Sequence, residues 1–323
     1  MGFTNYPNGV TSFGMPVIGG GLPFSGSSKA FFLDPTDGND GNDGTSPEQA
    51  VKTLPVAYAL LTDGNNDTLF YIAGTSSISL AAEFTWAKSY THFVGVCAGA
   101  MTGQRARIFA TAGNLDLDPL ITISGTGCVW SNIRVFLGVD DAQALTAVKV
   151  TGNYNHFYNC HFAGAGHATC AVDGASSLLV DGGSENTFTH CAFGVTTIDA
   201  ATGVRVLAFD SLAKRNVFED CIFTLRAGDT AAMLVELVDA TGVEDYTLFR
   251  RCLFLHTSAN QAVSLASAFV IPAGTATFAR MFLQDCMGGG FAKWDASDRG
   301  IVFGNMNAVT GADLSGVAVE IKT

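Results

Sequence analysis

Charge is the scarcest property of this sequence. Lys, Arg, Asp and Glu together make up 14% of its 323 residues, against about 25% in an ordinary soluble domain. A lone monomer with so few charges struggles to cover its surface, which predicts that part of that surface is buried against partners. The competing reading is a core that simply uses many apolar residues. Basic runs are missing as well. The densest cationic spots are the pairs Lys214-Arg215 and Arg250-Arg251, and the net charge is −12. A nucleic-acid binder needs a positive stripe to neutralise phosphates, so DNA and RNA are excluded as direct partners. No apolar run is long enough to cross a bilayer, so a membrane is not expected as a partner either. The first residues lack a basic segment followed by an apolar one, which predicts a protein made in the cytosol rather than secreted. No Gly-rich loop joins a strand to a helix and no serine nucleophile elbow occurs, so neither phosphate-loop nor serine-hydrolase chemistry is expected.

Glycine (37), phenylalanine (24) and cysteine (8) are what the chain does have, and the cysteines carry a period. Four segments align without gaps: Phe157-Tyr-Asn-Cys160-His-Phe162, Phe188-Thr-His-Cys191-Ala-Phe193, Phe218-Glu-Asp-Cys221-Ile-Phe223 and Phe249-Arg-Arg-Cys252-Leu-Phe254. Their cysteines step by 31, 30 and 31 residues. A degenerate copy follows at Leu283-Gln-Asp-Cys286-Met-Gly288, and one without cysteine precedes them at Trp130-Ser-Asn-Ile133-Arg-Val135. Periods of this length are the mark of a solenoid.

Parity inside the motif gives the local structure. Cys160 and Phe162 share a face of a strand, whereas Phe157, three residues before Cys160, would lie on the other. All three are apolar and should point inward. A tight bend at Tyr158-Asn159 resolves the conflict if its second residue is left-handed, which Asn, Asp and His tolerate best. That position reads Asn132, Asn159, His190, Asp220 and Asp285, with Arg251 as the exception. A further apolar strand lies upstream of each copy, as at Val148-Lys-Val150, Leu178-Leu-Val180 and Leu234-Val-Glu-Leu237. The expectation is an all-β, right-handed, single-stranded parallel β-helix. Its stack should hold about seven coils, roughly 34 Å at ~4.8 Å each. The core ladder would be Phe157, Cys160, Phe162, Phe188, Cys191, Phe193, Phe218, Cys221, Phe223, Phe249, Cys252 and Phe254. Its cysteines are expected to be reduced thiols, too far apart for disulfides.

The solenoid is expected to span residues 65–290, with other units on either side. Residues 29–64 read as an N-terminal cap: a strand at Ala30-Phe-Phe-Leu33, an Asp/Gly loop, then a helix near 53–62. Thr53 is the expected N-cap of that helix, and Leu54, Ala57, Tyr58 and Leu61 form its apolar face. Residues 291–323 should form a C-terminal cap or inter-subunit strands, at 300–303 and 316–321. Residues 1–28, rich in Gly, Pro and Ser, read as an extended particle-binding arm with Tyr6, Pro7, Phe13, Met15 and Ile18 as its anchors. The Asp-rich loop at 37–44 reads as turn chemistry, with calcium as the alternative.

Two resemblances follow from these segments. Leu33-Asp-Pro-Thr-Asp-Gly-Asn-Asp-Gly-Asn-Asp-Gly-Thr-Ser-Pro, with Ala50-Val-Lys-Thr-Leu and Asp67-Thr-Leu-Phe-Tyr-Ile-Ala-Gly-Thr75, resembles the cap and first coil of pectate-lyase-like β-helix proteins. That superfamily includes lyases, hydrolases, tailspikes and inert proteins, so this resemblance implies fold and not function. Asn5-Tyr-Pro-Asn-Gly-Val-Thr-Ser-Phe-Gly-Met-Pro-Val-Ile-Gly19 looks like the N-terminal arm of tailed-bacteriophage virion proteins. It implies a virion protein assembled in the host cytoplasm, most simply a capsid decoration (cement) or head-spike protein. A homotrimer bound to the major capsid protein or another virion protein is the implied assembly, and a glycan stays open as a partner. The alternative is a tailspike or fibre that binds or cleaves a host polysaccharide.

Cleavage would need two carboxylates facing one groove. Asp181, Glu185, Asp210, Glu219, Asp220, Glu236 and Asp239 are the candidates on strands or turns. Each is more simply a solvated surface group. Cys160, His161, His167 and Cys170 offer soft metal ligands, but neighbours Cys160 and His161 should point to opposite faces. No residue is therefore assigned a catalytic, cofactor-binding or metal-binding role, and no cofactor is expected.

Overall fold

Coil after coil, the chain lays down one short strand in each of three parallel sheets. The structure, a computed structural model, describes residues 11–12, 15–16, 25–111, 117–257, 263–272, 280–295 and 301–303. The first sheet holds ten strands, from Ala30–Leu33 and Asp67–Ile72 through His156–Tyr158 to Ile301–Phe303. The second holds eight, from Ile78–Leu80 through His161–Ala165 to Met287–Gly289. The third holds seven, from Phe84–Trp86 through Thr146–Val150 to Phe269–Val270. The architecture is a right-handed parallel β-solenoid.

The repeat motif bridges the first and second sheets. Trp130, Phe157, Phe188, Phe218, Phe249 and Leu283 stand in register on the first. Val135, Phe162, Phe193, Phe223, Phe254 and Gly288 do so on the second. The phenylalanines of both rows are fully buried. Their rings stack face to face, at 4.6, 4.5 and 5.0 Å in the first row and 5.3, 4.7 and 4.7 Å in the second. Between the rows the rings meet edge to face, as at Phe157 and Phe162. Offset stacking and edge contact are the favoured aromatic arrangements, so the two rows lock each other.

Cys160, Cys191, Cys221 and Cys252 fill the corner between the rows, and all are buried and free. Each thiol donates to the carbonyl of the aromatic residue one coil below: Cys160 to Trp130 (3.4 Å), Cys191 to Phe157, Cys221 to Phe188 and Cys252 to Phe218 (3.3 Å each). Burial pushes the Cys191 and Cys252 thiols well above the ordinary range, so they stay protonated.

The bend is left-handed throughout. Asn132, Asn159, His190, Asp220 and Asp285 have φ of 57, 51, 53, 53 and 54°. Arg251, which lacks the side chain suited to this conformation, adopts it too at 50°.

At the lower end of the stack, residues 30–61 pack against the first coil. Ala30–Leu33 pairs with the first full coil, and Leu33 bridges to Val51. The helix is shorter than expected, Leu54–Leu60, with Leu54 and Ala57 buried. Thr53 is the N-cap residue, but its hydroxyl does not cap; it donates to Asp40 Oδ2 at 2.9 Å. Asp40 instead fixes the chain just ahead of the helix, because its Oδ1 lies 2.8 Å from the N–H groups of both Lys52 and Thr53. At the other end of the helix, Lys88 donates to the carbonyls of Tyr58 and Leu61 at 2.8 and 2.6 Å. Tyr58 returns the contact by accepting the N–H groups of Ala87 and Lys88 at its hydroxyl.

At the far end, Ile301–Phe303 adds to the first sheet, and the expected strand at 316–321 lies outside the described residues. The arm anchors Tyr6, Pro7, Phe13 and Ile18 lie outside them as well. Met15 is described only as backbone, in a two-residue antiparallel pairing of Thr11–Ser12 with Met15–Pro16.

Candidate functional site

Stacking brings each candidate carboxylate within reach of the coils next to it, and it finds a partner there or in its own turn. Lys149 reaches Asp181 (3.5 Å), Arg215 reaches Glu185, and Arg205 reaches Glu236. Glu219 meets Arg250 (3.3 Å) and Arg251 (2.6 Å), and Arg251 also meets Asp220 (2.7 Å). The Arg251 guanidinium holds the Asp220 carboxyl below the usual carboxylate range. Asp210 accepts the N–H of Ser211, and Asp239 accepts both the N–H and the hydroxyl of Thr241, all at 2.7 Å. An acid for glycosidic cleavage needs a raised pKa and a partner carboxylate across a groove. These carboxylates are instead joined to cations or to neighbouring N–H groups.

The soft ligands do not converge. Cys160 points into the core, while His161 lies on the outer side of the second sheet. Cys170 donates to the carbonyls of His167 (3.3 Å) and Leu137 (3.6 Å). The Asp-rich loop is occupied by its own backbone. Asp34 accepts the N–H groups of Thr36 (2.8 Å) and Asp37 (3.1 Å), and Asp43 accepts the N–H and hydroxyl of Thr45 at 2.9 and 2.8 Å. Among the described residues, no group of three or more His, Cys, Asp and Glu is placed to hold a metal ion.

Sequence reasoning missed a second ladder. Asn155, Asn186 and Asn216 are buried two residues before the first-row phenylalanines. Their side-chain oxygens accept the N–H groups of Cys128, Asn155 and Asn186, one coil below, at 2.8, 2.9 and 3.0 Å. Their amide nitrogens donate to the carbonyls of Gly125, Gly152 and Gly183 at 3.0, 3.1 and 3.0 Å. Spacings of 31 and 30 residues mark it in the sequence, but a polar side chain is expected to face solvent rather than the interior. The ladder stops at Thr247, whose buried hydroxyl has no partner.

Two buried histidines close backbone groups in the same way, although the sequence weighs His161 only as a metal ligand and passes over His92. His161 accepts the N–H of Gly103 at Nδ1 (3.1 Å) and sets Nε2 against the carbonyl of Gly194 (2.9 Å). His92 accepts the N–H of Val129 at Nδ1 (3.1 Å) and faces the side-chain oxygen of Asn66 with Nε2 (3.3 Å). One nitrogen accepts and the other donates, which is the neutral imidazole. Burial pushes both histidines down to about 4.

A groove of about 530 Å³ lies between the helix and the first coil. It is mostly apolar, lined by Pro35, Leu54, Ile78 and Phe84, with Lys52 and Glu83 its only charges. It holds no pair of facing carboxylates.

Neither a protein-family model nor a curated protein sequence matches the chain. Solved structures do. Pectate lyase Pel9A superposes with a TM-score of 0.58 at 13% identity, over 88% of this chain and 69% of that one. Pectin methylesterase PemA from Erwinia chrysanthemi gives 0.57 at 13%, over 86% and 89%. The deglycosylated pectin methylesterase from Aspergillus niger gives 0.57 at 15%, over 92% and 93%. At such identities the likeness establishes the fold alone, a pectate-lyase-like right-handed parallel β-helix.

Proposed function

We propose that this chain is a non-catalytic structural protein of a bacteriophage particle, a capsid decoration (cement) or head-spike protein. Residues 1–28 anchor it to the major capsid protein or another virion protein, and the solenoid projects from the shell as a homotrimer. The observation that carries the non-catalytic part is the state of the carboxylates. Asp181, Glu185, Glu219, Asp220 and Glu236 are each paired with a cation from an adjacent coil, Asp210 accepts the N–H of Ser211, and Asp239 closes a turn. Attachment rests on the arm: its glycines free the backbone, its prolines keep it extended, and its isolated apolar side chains suit pockets on a partner. Burying one such side chain contributes roughly 1.5–3 kcal/mol, and three arms acting together raise the effective affinity.

Because structures of this fold include a pectate lyase and pectin methylesterases, the purified protein should be incubated with polygalacturonate, methyl-esterified pectin and host surface polysaccharide. No unsaturated product, new reducing end or released methanol is expected. Turnover abolished by E219Q or another single carboxylate substitution would overturn this reading in favour of a tailspike depolymerase. For the anchor, a truncation starting at Ser28 should fold and trimerise, yet fail to bind capsids lacking the native protein. Full decoration by the truncated chain would remove the arm from the model.

A further inference from the structure

On the outer face of the second sheet, two arginines stand together with no carboxylate paired to them among the described residues. Arg107 and Arg134 are in register on the strands Arg107–Ala110 and Arg134–Leu137, which sets their backbones ~4.8 Å apart. Strand alternation puts Phe109 and Phe136, also in register, on the same face. Each guanidinium lies over the ring of its own strand's phenylalanine, at 5.5 and 5.3 Å. The Nε of each is buried and without a partner.

The other arginines at described positions are engaged. Arg205, Arg215, Arg226, Arg250 and Arg251 pair with carboxylates, Arg105 donates to the carbonyls of Gly74 and Thr75, and Arg280 has a partner as well. Arg107 and Arg134 make no ion pair and no side-chain hydrogen bond among the described residues. The chain carries a net charge of −12, yet no carboxylate is paired with them. His161, the next residue up this row, is neutral and already bonded on both nitrogens. Burial and then the Arg107 charge hold the Arg134 guanidinium below its ordinary range.

The surroundings are built rather than loose. Residues 97–106 fold back over the corner above this pair, tied by Gly103 to His161 and by the Gln104 amide to the carbonyls of Asn159 and Met101. Gly103 leaves room on that side: a Cβ placed there would stand 4.0 Å from Arg134 Nη1. The phenylalanine rings fix the planes of the two guanidiniums, which lowers the entropy cost of engaging them.

We infer that Arg107 and Arg134 form a binding site for a ligand oxyanion (a carboxylate, phosphate or sulfate), gripped by two guanidinium forks that Phe109 and Phe136 hold in place. Planar forks match the oxygens of such groups in bidentate fashion. The site is on a different sheet from Glu236 and Asp181 and does not depend on whether the protein sits on a virus particle.

Titration calorimetry of the full chain with inorganic phosphate, sulfate and digalacturonate tests the inference. At least one should bind saturably at one site per chain and weaken as salt rises. R107Q and R134Q should each reduce that affinity tenfold or more, and R134K should reduce it less. K149Q, which removes a cation from another sheet, should leave it unchanged. Digalacturonate binding alone assigns the oxyanion to an acidic sugar, and phosphate or sulfate binding alone to a tetrahedral anion. Thermal melts confirm that the variants are folded, and the conservative double variant R107K/R134K provides the reading should a glutamine variant fail that check. If none of the three anions saturates the wild type, or if folded R134Q binds as the wild type does, there is no such site.

Discussion

Asn186 shows how a polar side chain stabilises this interior. Its oxygen accepts the Asn155 N–H and its nitrogen donates to the Gly152 carbonyl, so it closes two backbone groups that water cannot reach. Truncation in N186A would leave both unpaired, and each buried orphan costs ~1–3 kcal/mol. Urea unfolding should register a loss of roughly 2–4 kcal/mol; a loss within error would show that these bonds contribute nothing net. His92 and His161 make the same kind of closure conditional on pH. Burial holds them at about 4 in the folded protein, whereas in the unfolded chain they titrate near ~6.5. Between those values the unfolded state binds more protons, so stability falls as pH drops from about 6.5 to about 4. The loss should be on the order of 3 kcal/mol per histidine, and H92Q/H161Q should remove most of the slope. A flat unfolding midpoint across that window would contradict the neutral, buried assignment.

At the level of strands and corners, what could be read in advance depends on whether a position chooses its residue. The corner after Phe157 favours Asn, Asp or His, and its spacing exposed both the bend and the period. Arg251 adopts φ of 50° there without the usual side chain, held by its neighbours and by ion pairs to Glu219 and Asp220. A second left-handed corner lies just before the first-sheet residues at Tyr90, Gly127, Tyr154 and Glu185, and falls within the longer strands at Arg215 and Asp245. No residue type repeats there regularly, so nothing marked it; the stack imposes the conformation and the local sequence merely tolerates it. The Arg107 and Arg134 pair was hidden for a related reason, since their strands precede the clearest repeats. The helix was legible as an element, but not its fastening, because Lys88 and Asp40 come from other parts of the chain. In K88M, amide exchange in Leu54–Leu60 should quicken at least ~10-fold while the ladder strands keep their protection. The global loss should be about 1–2 kcal/mol. Equal loosening of helix and solenoid would mean that the cap and the stack open as one unit.

Across the whole molecule, each coil touches chiefly the coils above and below it, so stability accumulates by nearest-neighbour terms. Continuous rows of rings, thiols and asparagines tie these terms together, and the covered lower end keeps exposed strand edges from pairing with other chains. The register of the rows has a consequence for length. Removing residues 160–190, one 31-residue unit from Cys160 to the residue before Cys191, joins Asn159 directly to Cys191. Phe157 would then lie against Phe218, Asn155 against Asn216, and Val148 against Leu207, and Arg215 would keep Asp245. The shortened protein should give the same β-type circular dichroism and a cooperative melt, whereas a molten product would show that the coils are not interchangeable. Duplicating the same unit should lengthen the stack. Such a gene can therefore set how far its product reaches in steps of ~4.8 Å, by copying or losing a segment in frame, with no new core to invent at either junction.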